Sequence, residues 1–298
     1  MKLRTLRADL LLLLTAAVWG FAFVAQRMGM EYVGPFIFNG IRFALGCLVL
    51  VPFAWVRRHR AGAAGGKGIL VVGLAAGGVL FLGASLQQIG IVYTTAGKAG
   101  FITGLYVVLV PLLATIWRHR VGRGAWVGAL LAAVGLYLLS VREGFRISLG
   151  DALVLASAFF WATHVLIIAG WSKRYDVILL ALIQFGTCSV LSLGVAFLTE
   201  SFTVQAIRAA GIPILYGGLL SVGLGYTLQV VAQRDAPPTT AAILLSLEAV
   251  FAALGGWLIL NETLVPRAMV GCGLMLAGVV LSQIGPDPAD DRVDTRVT

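Results

Sequence analysis

The sequence predicts an all-α integral membrane protein in which ten transmembrane helices form two inverted five-helix repeats. Three observations lead to this fold class. The 298 residues are 59% hydrophobic and 12% charged, whereas soluble domains are about half apolar and about a quarter charged. Ten apolar segments approach the length of about 20 residues that a helix needs to cross a bilayer. Finally, the two halves of the chain align with each other at a nearly constant shift.

The apolar segments are separated by short polar loops. In chain order, the predicted spans cover residues 9–26, 35–56, 68–92, 97–117, 125–141, 150–170, 177–199, 211–233, 238–260 and 267–284. The fifth is the shortest, and we expect it to cross with little tilt or to lie partly in the interface. The first segment resembles a signal peptide, but we expect it to be retained because a matching segment recurs inside the chain.

Basic residues are distributed unevenly between the two sides of this topology. Fifteen lysines and arginines fall on the side of the N-terminus and six on the other, while Arg42 lies within a span. Because cytoplasmic loops carry the excess of basic residues, both termini are predicted to be cytoplasmic, in a multi-pass protein of the inner (cytoplasmic) membrane. The net charge of +9 comes without a nucleic-acid-binding motif, so we expect no nucleic-acid partner.

The two halves of the chain are related in sequence. A shift of 142 residues places residues 9–19 over residues 151–161, with aspartate at both starts and tryptophan at both ends. The same shift places Gln87 over Gln229. Apolar residues align easily by chance, so the paired aspartate, tryptophan and glutamine carry the inference of an internal repeat.

The repeat divides the chain into two domains and a tail. We predict a first five-helix repeat over residues 1–146, a second over 147–285 and a disordered cytoplasmic tail over 286–298. An odd number of spans per repeat means that the second repeat enters the membrane from the opposite side. Inverted repeats are the architecture of many secondary transporters, whose substrate site lies between the repeats near the membrane midplane.

Four stretches of the sequence resemble the EamA branch of the drug/metabolite transporter superfamily, and the resemblance as a whole covers about residues 9–284. They read "LLTAAVWGFAFV", "PFIFNGIRFALG", "TTAGKAGFITGLYVVLVPL" and "LLSLEAVFAALGGWLILNE". The resemblance implies a ten-helix inner-membrane carrier, often an exporter of amino acids or other metabolites. The last stretch departs from the family pattern, which usually has Glu-Pro, because Ala249 follows Glu248. The missing proline predicts a straighter helix at this point.

Aromatic residues within the spans are the first candidates for a substrate cavity. Trp19 and Trp161 occupy equivalent positions in the two repeats, and each follows a hydroxyl residue by four positions. This pattern predicts an aromatic-lined central cavity, and helix packing or contact with lipid is the alternative. His164 lies on the same helix face as Trp161, where it either lines the cavity or packs between helices without a functional role.

Two amides and two tyrosines complete the candidate lining. Gln87 and Gln229 lie deep in the third and eighth spans, so their side chains are expected to face protein or a water-filled cavity. They either contact the substrate or form hydrogen bonds between helices. Tyr226 lies three residues before Gln229, and Tyr106 is the repeat equivalent of Glu248.

Three charged residues complete the candidate set. Arg42 and Glu248 lie within spans, where charged residues are costly and are functional candidates by default. Glu248 is a candidate proton carrier, and a structural ion pair with Arg42 is the alternative. Lys98 lies at the predicted outer end of the fourth span, where its amine can reach the headgroups. It is a candidate outer-gate residue or a structural residue of the interface.

The inverted repeat and the resemblance together favour a secondary transporter. We expect it to export small metabolites such as amino acids by alternating access. A multidrug or cationic-compound exporter, a channel and a non-transporting membrane subunit are the alternatives. The sequence has no HExxH motif, no GxSxG motif and no paired aspartates of the prenyl-transferase type, so we expect no enzymatic activity, no cofactor and no bound metal. The expected partners are a small-molecule substrate, the lipid bilayer and protons as a candidate coupling ion, and the expected assembly is a monomer or homodimer.

Overall fold

The computed structural model describes residues 2–60, 67–117, 121–140, 148–261, 263 and 266–282. Within these ranges, all regular secondary structure is helical. The predicted tail, residues 286–298, lies outside the described residues. The all-α prediction is therefore confirmed for the part of the chain that forms the helical body.

In the described part of the chain, ten helical segments follow the predicted spans closely, and we number them span 1 to span 10 in chain order. They are Lys2–Gly29, Pro35–Arg60, Lys67–Val92, Ala96–Ile116, Arg123–Ser140, Leu149–Trp171, Val177–Thr199, Gly211–Ala232, Pro238–Leu260 and Pro266–Ser282. Among the described residues, eight segments are long and apolar enough to cross a membrane. Spans 5 and 10 have shorter apolar stretches, so the predicted count of ten is supported approximately, by eight long segments and two shorter ones. The short helix Val204–Ala209 precedes span 8.

The contacts between spans follow the two-fold relation that an inverted repeat requires, since each of the main contacts has a counterpart between the equivalent spans. Span 1 packs against spans 8 and 9, and its counterpart, span 6, packs against spans 3 and 4. Spans 2 and 7 pack against each other, as do spans 5 and 10. Each of these last two pairs joins equivalent helices of the two repeats. This pattern follows from a two-fold relation between the repeats.

Two spans are interrupted at positions that the repeat relates. Span 4 consists of the helices Ala96–Gly104 and Tyr106–Ile116, which are separated at Leu105. Span 9 consists of the helices Pro238–Leu245 and Glu248–Leu260. Broken helices are tolerated in a membrane where the freed backbone is buried in protein or lines a cavity. The interruptions place Tyr106 and Glu248 at the first residue of the second helix in each span.

The interruption in span 9 corrects one expectation. The sequence has Ala249 where the related pattern has proline, and this predicted a straighter helix. The helix is nevertheless interrupted shortly before Ala249. The amide of Leu247 donates to the carbonyl of Leu244 at 3.2 Å, three residues back instead of four. The hydroxyl of Ser246 donates to the carbonyl of Ile243 at 2.8 Å. The tightened turn and the serine side chain therefore interrupt the helix without proline.

Span 8 contains a π-helix, Tyr216–Tyr226, where the sequence predicted an ordinary helix. π-Helical turns are rare and are frequently found at functional sites. At Gly225, a Cβ atom would lie 2.6 Å from the indole nitrogen of Trp19. The absence of a side chain at this position therefore lets the backbone of span 8 approach span 1 closely.

Candidate functional site: a polar cavity between the repeats

A small cavity lies between the two repeats. In this conformation its volume is about 30 Å³, which leaves room for about two water molecules. Spans 1, 2, 3, 4, 6, 8 and 9 contribute to its walls. The lining residues are Trp19, Ala22, Phe23, Gln26, Arg42, Gln87, Thr103, Tyr106, Trp161, His164, Val165, Ser221, Tyr226, Gln229, Leu245 and Glu248. Nine of the ten candidate residues are in this set, and Lys98 lies elsewhere.

Tyr226 is the centre of an aromatic cluster at the cavity wall. Its ring centroid lies 4.5 Å from that of Trp19 and 6.1 Å from that of Trp161. The rings of Phe43 and Phe185 lie 5.9 and 5.8 Å away. Trp19 and Trp161 are only 9% and 7% exposed, so neither faces lipid. The π-helix of span 8 therefore ends on a tyrosine that joins the tryptophans of both repeats.

The two tryptophans differ in their hydrogen bonding. The indole N–H of Trp19 donates to the carbonyl of Ser221, within the π-helix, at 3.1 Å. The buried indole N–H of Trp161 has no partner among the described residues. Buried polar groups are normally paired with protein or water. Trp161 therefore offers the cavity a donor, whereas the donor of Trp19 is used in packing.

The two glutamines also differ, although the repeat relates them. The side-chain amide of Gln87 donates to the hydroxyl of Thr103 at 2.9 Å and so joins spans 3 and 4. Gln229 is 1% exposed, and its Oε1 has no partner within the described part of the chain. Gln87 thus forms the hydrogen bond between helices that was one of its two expected roles. Gln229 keeps an acceptor for a water molecule or a ligand.

Arg42 and Glu248 line the same cavity but do not pair. Both side chains are buried, at 2% and 3% exposure. Among the described residues, neither Nη2 of Arg42 nor Oε1 of Glu248 has a hydrogen-bonding partner, and no salt bridge joins them. The expected alternative of a structural ion pair is therefore wrong for this conformation. The described lining of the cavity instead holds a cationic and an acidic group that do not neutralise each other, and the acidic group lies next to the Tyr106 hydroxyl.

His164 is held by an amide from the neighbouring span. Its Nε2 lies 2.7 Å from Oε1 of Gln184, a contact that requires the proton on Nε2. The histidine ring also meets the ring of Trp161 edge-on, with centroids 6.4 Å apart. His164 therefore combines the two roles that the sequence left open, because it packs tightly and also lines the cavity.

A second, larger cavity opens at the membrane face where span 1 begins, which we call the N-terminal face. Its volume is about 580 Å³. It is lined by Arg4, Arg7, Ala8, Leu11, Lys173, Val177, Val231, Ala232, Arg234 and Asp235. We call this cavity the vestibule. Four basic residues and one acidic residue give it a net positive wall.

Lys98 lies at the opposite face and is part of an ion pair. Its Nζ contacts Oδ2 of Asp151 at 2.6 Å, which joins the start of span 4 to the start of span 6. Asp151 also accepts from the hydroxyl of Thr94 at 3.0 Å and from the amide of Ser148 at 2.7 Å. Lys98 therefore ties the two repeats together at this face. Its role as a gate stays a prediction.

Several residues at these sites were missed by the sequence reasoning. Asn39 accepts from Nε of Arg42 at 2.9 Å, and its position three residues before Arg42 places it on the same helix face. Asp151 was recognised only as the counterpart of Asp9. Thr103 carried no signal, because a single hydroxyl residue in an apolar segment is common. Within the described residues, no group of three or more His, Cys, Asp or Glu residues forms a site that could hold a metal ion.

The fold and the cavity together define a class of protein. Inverted repeats, interrupted helices and a polar cavity between the repeats are features of membrane transporters. The model of the EamA-like transporter family matches this chain twice, over residues 6–141 and 148–283. The chain therefore belongs to the EamA-like transporter family.

Known relatives agree with this assignment. An uncharacterized transporter of Archaeoglobus fulgidus is 33% identical over 280 residues, which cover 93% of this chain and 86% of the relative. The threonine/homoserine exporter RhtA of Escherichia coli K12 is 27% identical over 278 residues, which cover 90% of this chain and 88% of RhtA. A solved crystal structure matches 97% of this chain and 99% of its own chain, with a TM-score of 0.77 and 17% identity. This last similarity concerns the fold alone.

Proposed function

We propose that this protein exports small metabolites such as amino acids across the cytoplasmic membrane by alternating access. The observation that carries the proposal is the pair of buried, mutually unpaired charges, Arg42 and Glu248, in one cavity between the repeats. An amino acid carries a carboxylate and an ammonium group, which match a guanidinium and a carboxylate. The relation to RhtA, which is named a threonine/homoserine exporter, supports the same class of substrate.

The architecture supports transport by rocking of the two repeats around a fixed site. The central cavity of about 30 Å³ is smaller than the vestibule of about 580 Å³ at the N-terminal face. A substrate larger than two water molecules needs the central cavity to widen. We propose that the cavity opens alternately to the two faces, with no chemical change in the substrate and therefore no enzymatic activity.

We propose that Glu248 couples export to protons. Among the residues that the structure describes, it is the only acidic one that lines the central cavity, and a carboxylate inside a membrane protein is a functional candidate by default. A Glu248→Gln protein is expected to lose uptake driven by a pH gradient while keeping exchange of substrate without a gradient. Full pH-driven uptake by this variant, at equal protein content, would show that Glu248 is not the coupling residue.

Export of organic cations is the second candidate function. The aromatic cluster around Tyr226 supports it, because aromatic faces attract cations and Glu248 would complete such a site. An exporter of cations has no use for an unpaired guanidinium in its cavity, since like charges repel. Arg42 therefore favours the amino-acid proposal over this candidate.

We also propose that the N-terminal face is cytoplasmic. The excess of lysine and arginine on that side supports this orientation. A fluorescent-protein fusion at the C-terminus would then be bright, and an alkaline phosphatase fusion at the same point would be inactive. The reverse result would overturn the assignment.

Counterflow in liposomes tests the proposed function. Liposomes that contain the purified protein and unlabelled L-threonine are expected to accumulate labelled L-threonine transiently and saturably, whereas protein-free liposomes are not. Trp19→Ala and Trp161→Ala are expected to raise KM or lower the rate. Trp257→Ala is the matched control, because Trp257 is 50% exposed on the helix surface. Non-saturable flux would indicate a channel, and unchanged kinetics in both cavity variants would remove the tryptophans from the site.

A further inference from the structure

Arg42 and Gln184 occupy equivalent positions in spans 2 and 7. Gln184 has a hydrogen-bonding partner in span 6, whereas Arg42 has none at the equivalent position in span 1. The shift of 142 residues relates Arg42 to Gln184 and Ala22 to His164. In the second repeat, Gln184 pairs with His164 at 2.7 Å. In the first repeat, the methyl group of Ala22 stands where a histidine would otherwise form that contact. Arg42 therefore lacks the counterpart of the histidine that contacts Gln184.

The guanidinium of Arg42 is buried with incomplete hydrogen bonding. Its Nε donates to Oδ1 of Asn39 at 2.9 Å, and its central carbon lies 5.0 and 5.6 Å from the ring centroids of Phe43 and Phe38. Nη2 has no partner among the described residues. A buried cation without an acidic partner is costly. Such a group is therefore expected where a ligand supplies the missing negative charge.

Asn39 orients this guanidinium. Its side-chain amide donates to the carbonyl of Ala84 in span 3 at 3.1 Å, which fixes Oδ1 toward Nε of Arg42. A neutral amide holds the guanidinium without neutralising it. The remaining N–H groups form the planar fork that pairs with two oxygens of a carboxylate. Ala22 and Arg42 both line the central cavity, so the fork borders space that a ligand can enter.

We propose that Arg42, oriented by Asn39 and left uncovered by Ala22, forms a subsite for the carboxylate of a small organic ligand. The proposal deepens the proposed function, since it rests on the central cavity as the ligand site and names the group that binds at one end of it. Arg42 acts as the binding residue, and Asn39 acts as a positioning residue. Glu248 lines the same cavity and is left for a cationic group or a proton.

Acetate and acetamide are suitable probes, because they are small, have nearly the same shape and differ in charge. Three samples of the full-length protein in detergent are heated at the same ionic strength. The first contains sodium acetate, the second contains acetamide with sodium chloride, and the third contains sodium chloride alone. Acetate is expected to raise the melting temperature above the chloride control, and acetamide is not. A melting temperature that acetate leaves unchanged would overturn the proposal.

Two variants separate ligand binding from folding. Arg42→Gln combined with Ala22→His rebuilds the Gln–His pair of the second repeat. Asn39→Asp supplies an internal carboxylate of almost unchanged shape beside Arg42, and it gives up the hydrogen bond to the carbonyl of Ala84. Both are expected to fold and to bind acetate at least about tenfold more weakly, the scale of one hydrogen bond to a charged group. Arg7→Gln, in the vestibule, is the control and is expected to keep the acetate effect. Equal acetate binding by the wild type and both variants would overturn the proposal.

A transport comparison distinguishes this proposal from the proposed function. L-Threonine and 1-amino-2-propanol differ only in the carboxylate. If the wild type transports threonine, the double variant is expected to lose it while 1-amino-2-propanol transport is kept or gained. Threonine transport that survives in the double variant with unchanged KM would overturn the subsite alone. If the wild type binds acetate through Arg42 but transports no amino acid, the proposed substrate is wrong and the carboxylate subsite stands.

Discussion

The two membrane faces of this protein are related by the repeat but are built differently. At the face opposite the N-terminus, Gly90 and Gly150 are in close contact, because a Cβ atom on Gly150 would lie 2.7 Å from the carbonyl oxygen of Gly90. Their repeat equivalents at the N-terminal face are Ala232 and Ala8. Both alanines line the vestibule of about 580 Å³. Equivalent helix ends therefore pack together at one face and border a cavity at the other.

The two faces also differ in their charged residues. The ion pair of Lys98 and Asp151 reinforces the packed face. The repeat equivalent of Asp151 is Asp9, but the equivalent of Lys98 is Thr240. The N-terminal face therefore keeps the acidic residue and has threonine at the position where the packed face has lysine. On the proposed mechanism, this difference favours the conformation that is open at the N-terminal face, and it can be changed by exchanging residues between equivalent positions.

The largest expected effect comes from disrupting the packed face. In Gly90→Ala, the new Cβ atom would lie 2.6 Å from Cγ2 of Val154 and 2.8 Å from the carbonyl oxygen of Gly150. Overpacking of this kind costs about 1–3 kcal/mol. Gly78→Ala in the same helix is the matched control, because nothing lies within 4 Å of its Cβ position. Thermal unfolding is expected to show a lower melting temperature for Gly90→Ala alone. Equal melting temperatures would contradict close packing at this face.

Removing Asp151 is expected to have the next largest effect. Asp151→Ala loses the contact with Lys98 at 2.6 Å, the bond from Thr94 at 3.0 Å and the bond from the Ser148 amide at 2.7 Å. Loss of a helix cap and of bonds to a charged group costs about 1–2 kcal/mol. Asp235→Ala, an exposed acidic residue of the vestibule, is expected to change stability by less than about 0.5 kcal/mol. Unfolding of both variants under identical conditions measures this difference between the faces.

Much of the fold was predictable from the sequence, because the bilayer imposes strong constraints on composition and length. Spans of about 20 apolar residues and an internal repeat led to the ten segments and their arrangement. The interruption at Leu247 was not predicted, since it depends on one tightened turn and the serine hydroxyl beside it. The π-helix of span 8 was also not predicted, because its amino acids are compatible with an ordinary helix.

The sequence predicted which residues line the candidate site, but it did not predict their hydrogen-bonding partners. Selecting residues that the repeat relates, or that are costly inside a membrane, recovered nine residues of one cavity. Hydrogen-bonding partners depend on distances between helices, which a single sequence does not contain. The contacts of Gln87 with Thr103 and of Lys98 with Asp151 were therefore missed. The absence of an Arg42–Glu248 pair also became visible only in the structure.

Breaking the ion pair without removing the aspartate gives a smaller effect on conformation. Lys98→Gln is expected to favour opening of the packed face by about 0.2–1 kcal/mol, the range for partly exposed ion pairs. On the proposed mechanism, the N-terminal face then closes more often, which brings Ala8 and Ala232 together. With both alanines changed to cysteine and Cys47, Cys188 and Cys272 replaced, disulfide formation is expected to become up to about fivefold faster.

The control for that measurement keeps the charge. Lys98→Arg, which retains a cation opposite Asp151, is expected to leave the rate of disulfide formation close to that of the parent protein. A rate that is the same for glutamine, arginine and lysine at position 98 would mean that this ion pair does not influence the closure of the N-terminal face. Helix packing at the opposite face, such as that of Gly90 against Gly150, would then hold this face closed without help from the ion pair.

The smallest expected effect comes from giving the N-terminal face the lysine that it lacks. Thr240→Lys places a cation at the repeat equivalent of Lys98, where it can approach Asp9. The vestibule already carries four basic residues, so their repulsion offsets part of the attraction, and the gain is expected to stay below about 0.5 kcal/mol. Disulfide formation between cysteines at positions 8 and 232 is expected to become up to about twofold faster. Thr240→Gln, with a long but uncharged side chain, should leave the rate unchanged. Slower disulfide formation in Thr240→Lys would mean that repulsion within the vestibule outweighs the new pair, and that the difference between the faces depends on the whole basic wall rather than on one missing lysine.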